Sequence, residues 1–135
     1  ADDPLAHFAL SIDGQRRSYE RIHELAHEHA GGRWVSVGGG GYEWVDVVPR
    51  AWTHLTAIAC GTPIPVETAI PVAFSEFVQQ TMGRPAPGRM TDGRTVSLDP
   101  WDGRTDPSDI YDRAINATKR SVFAHLGIAD DLHGM

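Results

Sequence analysis

The pattern of apolar and polar residues predicts four helices and one short strand. The first helix is expected over residues 15–30, where charged residues fill much of one face and apolar residues recur at helical spacing on the other: Tyr19, Ile22, Leu25, Ala26 and Ala30. Gly31 and Gly32 then end it, as glycines do at helix C-termini. Residues 33–37 are short, rich in β-forming residues and bounded by glycine, which predicts a buried strand of a parallel sheet.

Three further helices follow from local signals. A helix over 46–60 is expected, with Asp46 as its N-cap and a proline tolerated in its first turn. Prolines and Asp-Gly turns dominate residues 62–106, where only residues 72–82 look helical. The terminal helix is predicted over 107–126, with Asp106 as the cap and Pro107 at the first position.

A single parallel strand cannot form a sheet, because parallel strands need neighbours and cover on both faces. The sequence therefore predicts part of a larger α/β domain whose other strands lie elsewhere. We expect an isolated chain to expose the side chains of Val35 and Val37.

Four consecutive glycines, residues 38–41, join the predicted strand to Tyr42. Glycine runs cost backbone entropy, so this one predicts positive φ angles or a close backbone approach. A loop between a strand and a helix is also where α/β proteins place ligands. Two alternatives remain open: the glycines form a flexible linker, and Tyr42 is an aromatic packing residue.

Composition narrows the functional classes. The chain has 135 residues, enough for one domain at most, and its net charge of −6 disfavours a nucleic-acid partner. No apolar run approaches the length of a membrane span, and we expect no signal peptide, since the first residues show no such pattern. The one cysteine, Cys60, excludes an internal disulfide and fits a reducing cytoplasm. It is expected to be buried and inert, because it ends an apolar helical run.

The first helix contains His23-Glu24-Leu25-Ala26-His27, which matches the His-Glu-x-x-His motif of zinc peptidases. In such enzymes the two histidines bind zinc and the glutamate is the general base. No third ligand follows at a suitable spacing, and His29 lies off the shared face. A solvated helix rich in histidine and glutamate is therefore the favoured interpretation, with a zinc peptidase as the alternative.

The run Trp34-Val35-Ser36-Val37 followed by Gly-Gly-Gly-Gly-Tyr, and then Val48-Pro49-Arg50-Ala51-Trp52-Thr53, resembles the C-terminal part of the histone deacetylase superfamily. The amino-acid sequence of residues 48–53 and 83–95 most resembles that of the bacterial acetoin-utilisation deacetylases. The resemblance implies the C-terminal part of a three-layer αβα fold of the arginase/deacetylase type, with a mainly parallel sheet. Within this single domain, residues 3–61 form the core match, 62–106 proline-rich loops and 107–126 a terminal helix.

The resemblance further implies a cytoplasmic, zinc-dependent hydrolase acting on acetyl-lysine or a related acetylated amine. Tyr42 would stabilise the oxyanion, and Gly40 and Gly41 would line a narrow acyl-lysine tunnel. Leu5 would line the tunnel near its mouth, and Pro4 would hold the turn there. The family's zinc ligands lie upstream of these motifs and have no counterpart in this chain. We therefore expect no metal ligands here, and an inactive fragment unless the rest of the catalytic domain is supplied.

A second class of function stays open beside the deacetylase. The proline-rich stretch 83–107 is compatible with a surface interaction loop, and hence with a non-catalytic binding or assembly module. A stable fold with a polar exterior would favour that alternative.

Overall fold

The computed structural model describes residues 3–5, 7, 9–97 and 106–128, which fall in two compact units, 1–98 and 99–135. The first unit holds helices α1 (Ile12–Ala30), α2 (Val48–Ala59) and α3 (Val72–Met82). Helices α1 and α2 pack against each other. The second unit holds α4 (Ile110–Val122) and a 3₁₀ turn, Phe123–Leu126. None of the described helices is long and apolar enough to cross a membrane.

Helix α1 begins three residues earlier than predicted, because its cap lies outside the periodic pattern. Ser11 is the N-cap, and its Oγ accepts a hydrogen bond from the Gly14 amide at 3.0 Å. Ile12 is fully buried, and its amide donates to Asp92 Oδ2 at 2.8 Å. Gly31 ends the helix in the left-handed conformation, φ 60°, as expected for a glycine.

Helix α2 begins at Val48, and the prediction that Asp46 caps it is wrong. Val47 occupies the N-cap position and makes no capping hydrogen bond through its side chain. The Asp46 carboxylate instead accepts from the Arg84 guanidinium, at 2.9 and 3.0 Å. Helix α3 has the predicted bounds and ends at a left-handed glycine, Gly83.

Helix α4 begins at Ile110, three residues after the predicted start. Its cap is Asp109, whose carboxylate accepts from the amides of Tyr111 and Asp112, so the assignment to Asp106 is wrong. Asp106 instead accepts from Ser108 in the preceding turn, which contains Pro107. Residues 98–105 of the predicted loop region lie outside the described residues.

The strand predicted over 33–37 does not form. No strand occurs in the part of the chain that the structure describes, although an isolated antiparallel bridge joins Ala69 and Arg89. A strand requires backbone partners on a neighbouring strand, and the described residues supply none beside 33–37. The side chains of Val35 and Val37 are each 86% exposed, which confirms the expectation for an isolated chain.

Cys60 is exposed at the end of α2, so the prediction of a buried cysteine is also wrong. The buried face of α2 consists of Arg50, Ala51, His54, Leu55 and Ile58. Cys60 falls beyond this face, because the helix ends at Ala59 and Gly61 adopts φ 71° directly after it.

Residues 89–94, here called the clamp segment, tie the N-terminal turn of α1 to helix α2. Asp13 of α1 is buried, and its carboxylate accepts from Thr91 Oγ1 at 2.6 Å and from the amides of Asp92 and Arg94. His54 of α2, fully buried, pairs through Nε2 with the Met90 carbonyl oxygen at 2.8 Å. The clamp segment thus joins α1 to α2 through long-range polar contacts.

Asp13 should make the stability of the chain depend on pH. Burial by itself raises the pKa of the Asp13 carboxyl, but hydrogen bonds from Thr91, Arg94 and Asp92 outweigh burial and hold that pKa below its ordinary value of 3.8. Stabilisation is then fully present above pH 3.8, and it is lost as the pH falls toward the folded pKa, since only the unfolded carboxyl takes up a proton there. Denaturant titrations at several pH values should show an acid decline that is shallower in Asp13→Asn, and equal slopes would contradict the assignment.

Candidate functional site

A cavity of about 310 Å³ lies between α1, α2 and the glycine segment, defined here as residues 36–43. The glycine segment forms one wall along its whole length. Helix α1 contributes Gln15 and Tyr19, and the wall from α2 consists of Val48, Ala51, Trp52 and Leu55. The cavity is therefore built from the same stretch of chain that the sequence analysis singled out.

Three of the four glycines show a positive φ angle or a close approach of the backbone, as the sequence predicted. Gly40 and Gly41 have φ angles of 70° and 89°, which residues with a side chain rarely adopt. A Cβ on Gly38 would lie 2.2 Å from the Trp52 ring, so the backbone approaches the indole more closely than any other residue would allow. At Gly39 there is open space instead, so the steric demand falls on its neighbours.

Tyr42 and Tyr19 both bring phenol rings to the cavity. Tyr42 is 45% exposed, and a Cβ on Gly40 would touch its ring edge and hydroxyl at 3.7 to 3.9 Å. The Tyr19 hydroxyl donates to Gln15 Oε1 at 3.0 Å, and burial raises the pKa of Tyr19, which keeps it neutral near pH 7. The Tyr19 hydroxyl therefore has a hydrogen-bond acceptor one helical turn away, in Gln15.

The structure brings Tyr42, Gly40 and Gly41 together at the cavity, but not Pro4 or Leu5. Both lie in an exposed turn, in which the Leu5 amide donates to Asp3 Oδ1 at 2.9 Å. Asp3, rather than its two neighbours, lines the cavity from this side. The proposed tunnel roles of Pro4 and Leu5 thus concern residues that do not line this cavity.

A set of ionic contacts beside Tyr42 was not foreseen from the sequence. Arg84, from the proline-rich region, binds Asp46 and lies 3.5 Å from Glu43, the residue after Tyr42. The Arg50 side chain donates through Nε to the Asp46 carbonyl oxygen at 2.6 Å. Local patterns carry no signal for such contacts, because the partners lie up to 41 residues apart.

No metal site accompanies the cavity in the described residues, where no group of three or more histidine, cysteine, aspartate or glutamate side chains could hold an ion. His23 and His27 do lie together, with ring centroids 4.7 Å apart, and Trp34 stacks edge-on against His23. The zinc-peptidase alternative therefore lacks a third ligand in this part of the chain. The residues described here do not fit the zinc centre that the deacetylase resemblance implies, either.

Comparison with known proteins supports the resemblance to the histone deacetylase superfamily. The model of the histone deacetylase domain matches residues 1–59. The acetoin utilization protein AcuC of Bacillus subtilis is 45% identical over 53 residues, which cover 39% of this chain and 14% of that protein. AcuC of Staphylococcus xylosus is 33% identical over 63 residues, and AcuC of Staphylococcus aureus strain N315 is 34% identical over 62 residues. Each of these matches covers 46 to 47% of this chain and 16% of the relative.

The chain thus spans only about one seventh of the length of the curated relatives it matches. No solved structure matches it significantly. The matched family implies an arginase/deacetylase type of α/β fold, whose sheet the helix-rich structure of this chain does not contain in its described residues. The resemblance inferred from the glycine–tyrosine and Arg-x-Trp-Thr motifs is nonetheless confirmed: residues 1–59 are similar to the histone deacetylase domain and to the bacterial AcuC proteins.

Proposed function

We propose that this chain is the C-terminal segment of a single zinc-dependent deacetylase domain, which hydrolyses acetyl-lysine or a related acetylated amine. Its own contribution is Tyr42 and one wall of the substrate tunnel. The observation that carries the proposal is the cavity in which Tyr42, the left-handed glycines and Trp52 meet, inside the region that matches the family.

The chemistry of Tyr42 suits this role. A neutral phenol donates one hydrogen bond, which is what a carbonyl oxygen needs as it becomes an oxyanion during hydrolysis. Gly40 keeps a Cβ atom away from the Tyr42 ring, and Gly41 avoids a clash with the Val48 side chain, so an extended acyl chain has room beside the hydroxyl. Trp52 packs against Gly38 and lines the cavity beside it.

The surface of the chain favours an incomplete domain over a free-standing binding module. Val35 and Val37 are each 86% exposed, and Leu10, Trp44 and Trp52 add large exposed apolar side chains. A stable interaction module is expected to have a polar exterior, and contiguous exposed apolar surface normally marks an interface. Completion by the rest of the catalytic domain accounts for this surface.

Zinc is part of the proposal only because the matched family implies a zinc-dependent enzyme. Because the described residues do not form a site for it, its ligands would come from the rest of the domain, and this chain's own residues supply substrate contacts only.

The test compares the chain alone with a polypeptide that joins it to an upstream zinc-binding segment, called the complete enzyme below. We expect the complete enzyme to bind zinc stoichiometrically and to release acetate from an acetyl-lysine peptide, whereas the chain alone should do neither. Zinc binding without hydrolysis of any acetylated amine in the complete enzyme would contradict the deacetylase assignment. Activity of the chain alone would contradict the division of the site between two segments.

A further inference from the structure

We propose that Arg84 is a positioning residue for Tyr42, which holds the turn between Tyr42 and α2 in the orientation that catalysis requires. This inference rests on the proposed function. Arg84 lies 25 residues beyond residues 1–59, the part of the chain that matches the deacetylase family, so the family match assigns it no role.

The geometry of the turn carries the argument. The carbonyl oxygen of Glu43 accepts from the amides of Val47 and Val48, at 3.2 and 3.0 Å, and its carboxylate accepts from the Asp46 amide at 3.2 Å. Glu43 thus organises both ends of a turn that begins directly after Tyr42 and leads into α2. The orientation of the Tyr42 backbone follows from this turn, because only one peptide bond separates the two residues.

Arg84 joins the two carboxylates that define the turn. Its Nη1 lies 2.9 and 3.0 Å from the two oxygens of Asp46, and its Nη2 lies 3.5 Å from Glu43 Oε1. Without the guanidinium, two carboxylates three residues apart would repel each other beside the cavity wall. All three side chains are only 29 to 38% exposed, so the charges interact more strongly than they would in bulk water.

Helix α2 lacks a side-chain cap, so its start depends more strongly on the ion pairs between Arg84 and the carboxylates of Glu43 and Asp46. The start of a helix normally gains from a capping side chain, and Asp46 would be the natural candidate. Because Asp46 is engaged by Arg84, the first turn of α2 depends on the Glu43 carbonyl and on the ion pairs that fix Glu43. Arg84 therefore fixes the orientation of the turn that follows Tyr42.

Arg89 provides a matched control. It belongs to the same proline-rich region, and its guanidinium binds the Glu67 carboxylate in an ion pair that is 60 to 65% exposed. Neither residue lines the cavity of the glycine segment. Removing the Arg89 side chain therefore deletes the same charge and a salt bridge, but leaves the turn after Tyr42 intact.

The decisive experiment is a double-mutant cycle in the complete enzyme, measured as kcat and KM on an acetyl-lysine peptide. We expect Arg84→Ala to lower kcat about 10-fold with KM changed by less than about twofold, since small misplacements of a catalytic group cost up to about 100-fold. Arg84→Lys should recover part of the rate. In a Tyr42→Phe background the further loss from Arg84→Ala should disappear, because coupled residues are not additive.

Equal losses from Arg84→Ala in the two backgrounds would overturn the proposal, as would an Arg89→Ala variant that loses as much rate. An absence of any rate loss in Arg84→Ala would overturn it too. Amide exchange at Val47 and Val48 in the chain alone gives an independent readout, because both amides bind the Glu43 carbonyl oxygen. Exchange should accelerate in Arg84→Ala and not in Arg89→Ala. If Tyr42→Phe itself leaves kcat unchanged, the proposed function fails, whereas the exchange result still tests the contact.

Discussion

Replacing Tyr42 with phenylalanine in the complete enzyme is expected to lower kcat by about 10²–10³-fold, the usual effect of removing one oxyanion donor. The substitution removes a single hydroxyl and keeps the ring, so the wall of the cavity and the contact with Gly40 should persist. Zinc should remain stoichiometric, because the described part of the chain holds no group of metal ligands. The value of KM should change little, since the hydrogen bond strengthens only as the oxyanion develops.

Tyr19→Phe is the matched control for this experiment. Its ring lines the same cavity, but its hydroxyl already donates to Gln15 within α1. We expect this variant to retain kcat within about threefold, because the hydroxyl of Tyr19 serves the helix. A large loss in Tyr19→Phe with none in Tyr42→Phe would transfer the catalytic role to Tyr19 and contradict the assignment of Tyr42.

The parts of the fold that the sequence predicted are those decided by local interactions. The periodic apolar stripe located α1, and the glycines at its end and at the end of α3 stopped both helices where expected. The same holds for Gly40 and Gly41, whose positive φ angles follow from the absence of a Cβ. These features depend on neighbours within a few residues.

The parts that the sequence did not predict depend on partners far along the chain. The start of α1 at Ile12 depends on Asp92, 80 residues away, and the start of α2 depends on Arg84, which engages the expected cap. The strand over 33–37 fails for a similar reason, because a strand needs a partner that the described residues do not offer. Long-range pairs of this kind leave no periodic signal in one sequence.

Loss of the Arg50 side chain is expected to destabilise the first unit by about 3–5 kcal/mol, the typical cost of breaking a buried ion pair. Arg50 is 7% exposed, and its guanidinium meets Asp92 Oδ1 at 2.9 Å and the Thr91 carbonyl oxygen at 3.0 Å. In Arg50→Ala the Asp92 carboxylate would lose its counter-charge, and the carbonyl oxygens of the clamp segment and of Asp46 would lose their donors. Urea titration of the chain, followed by circular dichroism, measures the effect.

Two comparisons separate the role of this guanidinium from a general loss of positive charge. Arg50→Lys keeps the charge but not the planar fork, so it should recover only part of the stability. Arg89→Ala removes an exposed ion pair with Glu67 and should cost less than about 1 kcal/mol, as surface pairs do. Because Arg50 donates both to the clamp segment and to the turn after Tyr42, its loss should also loosen the cavity wall. Equal destabilisation in Arg50→Ala and Arg89→Ala would contradict the role assigned to the Arg50 guanidinium.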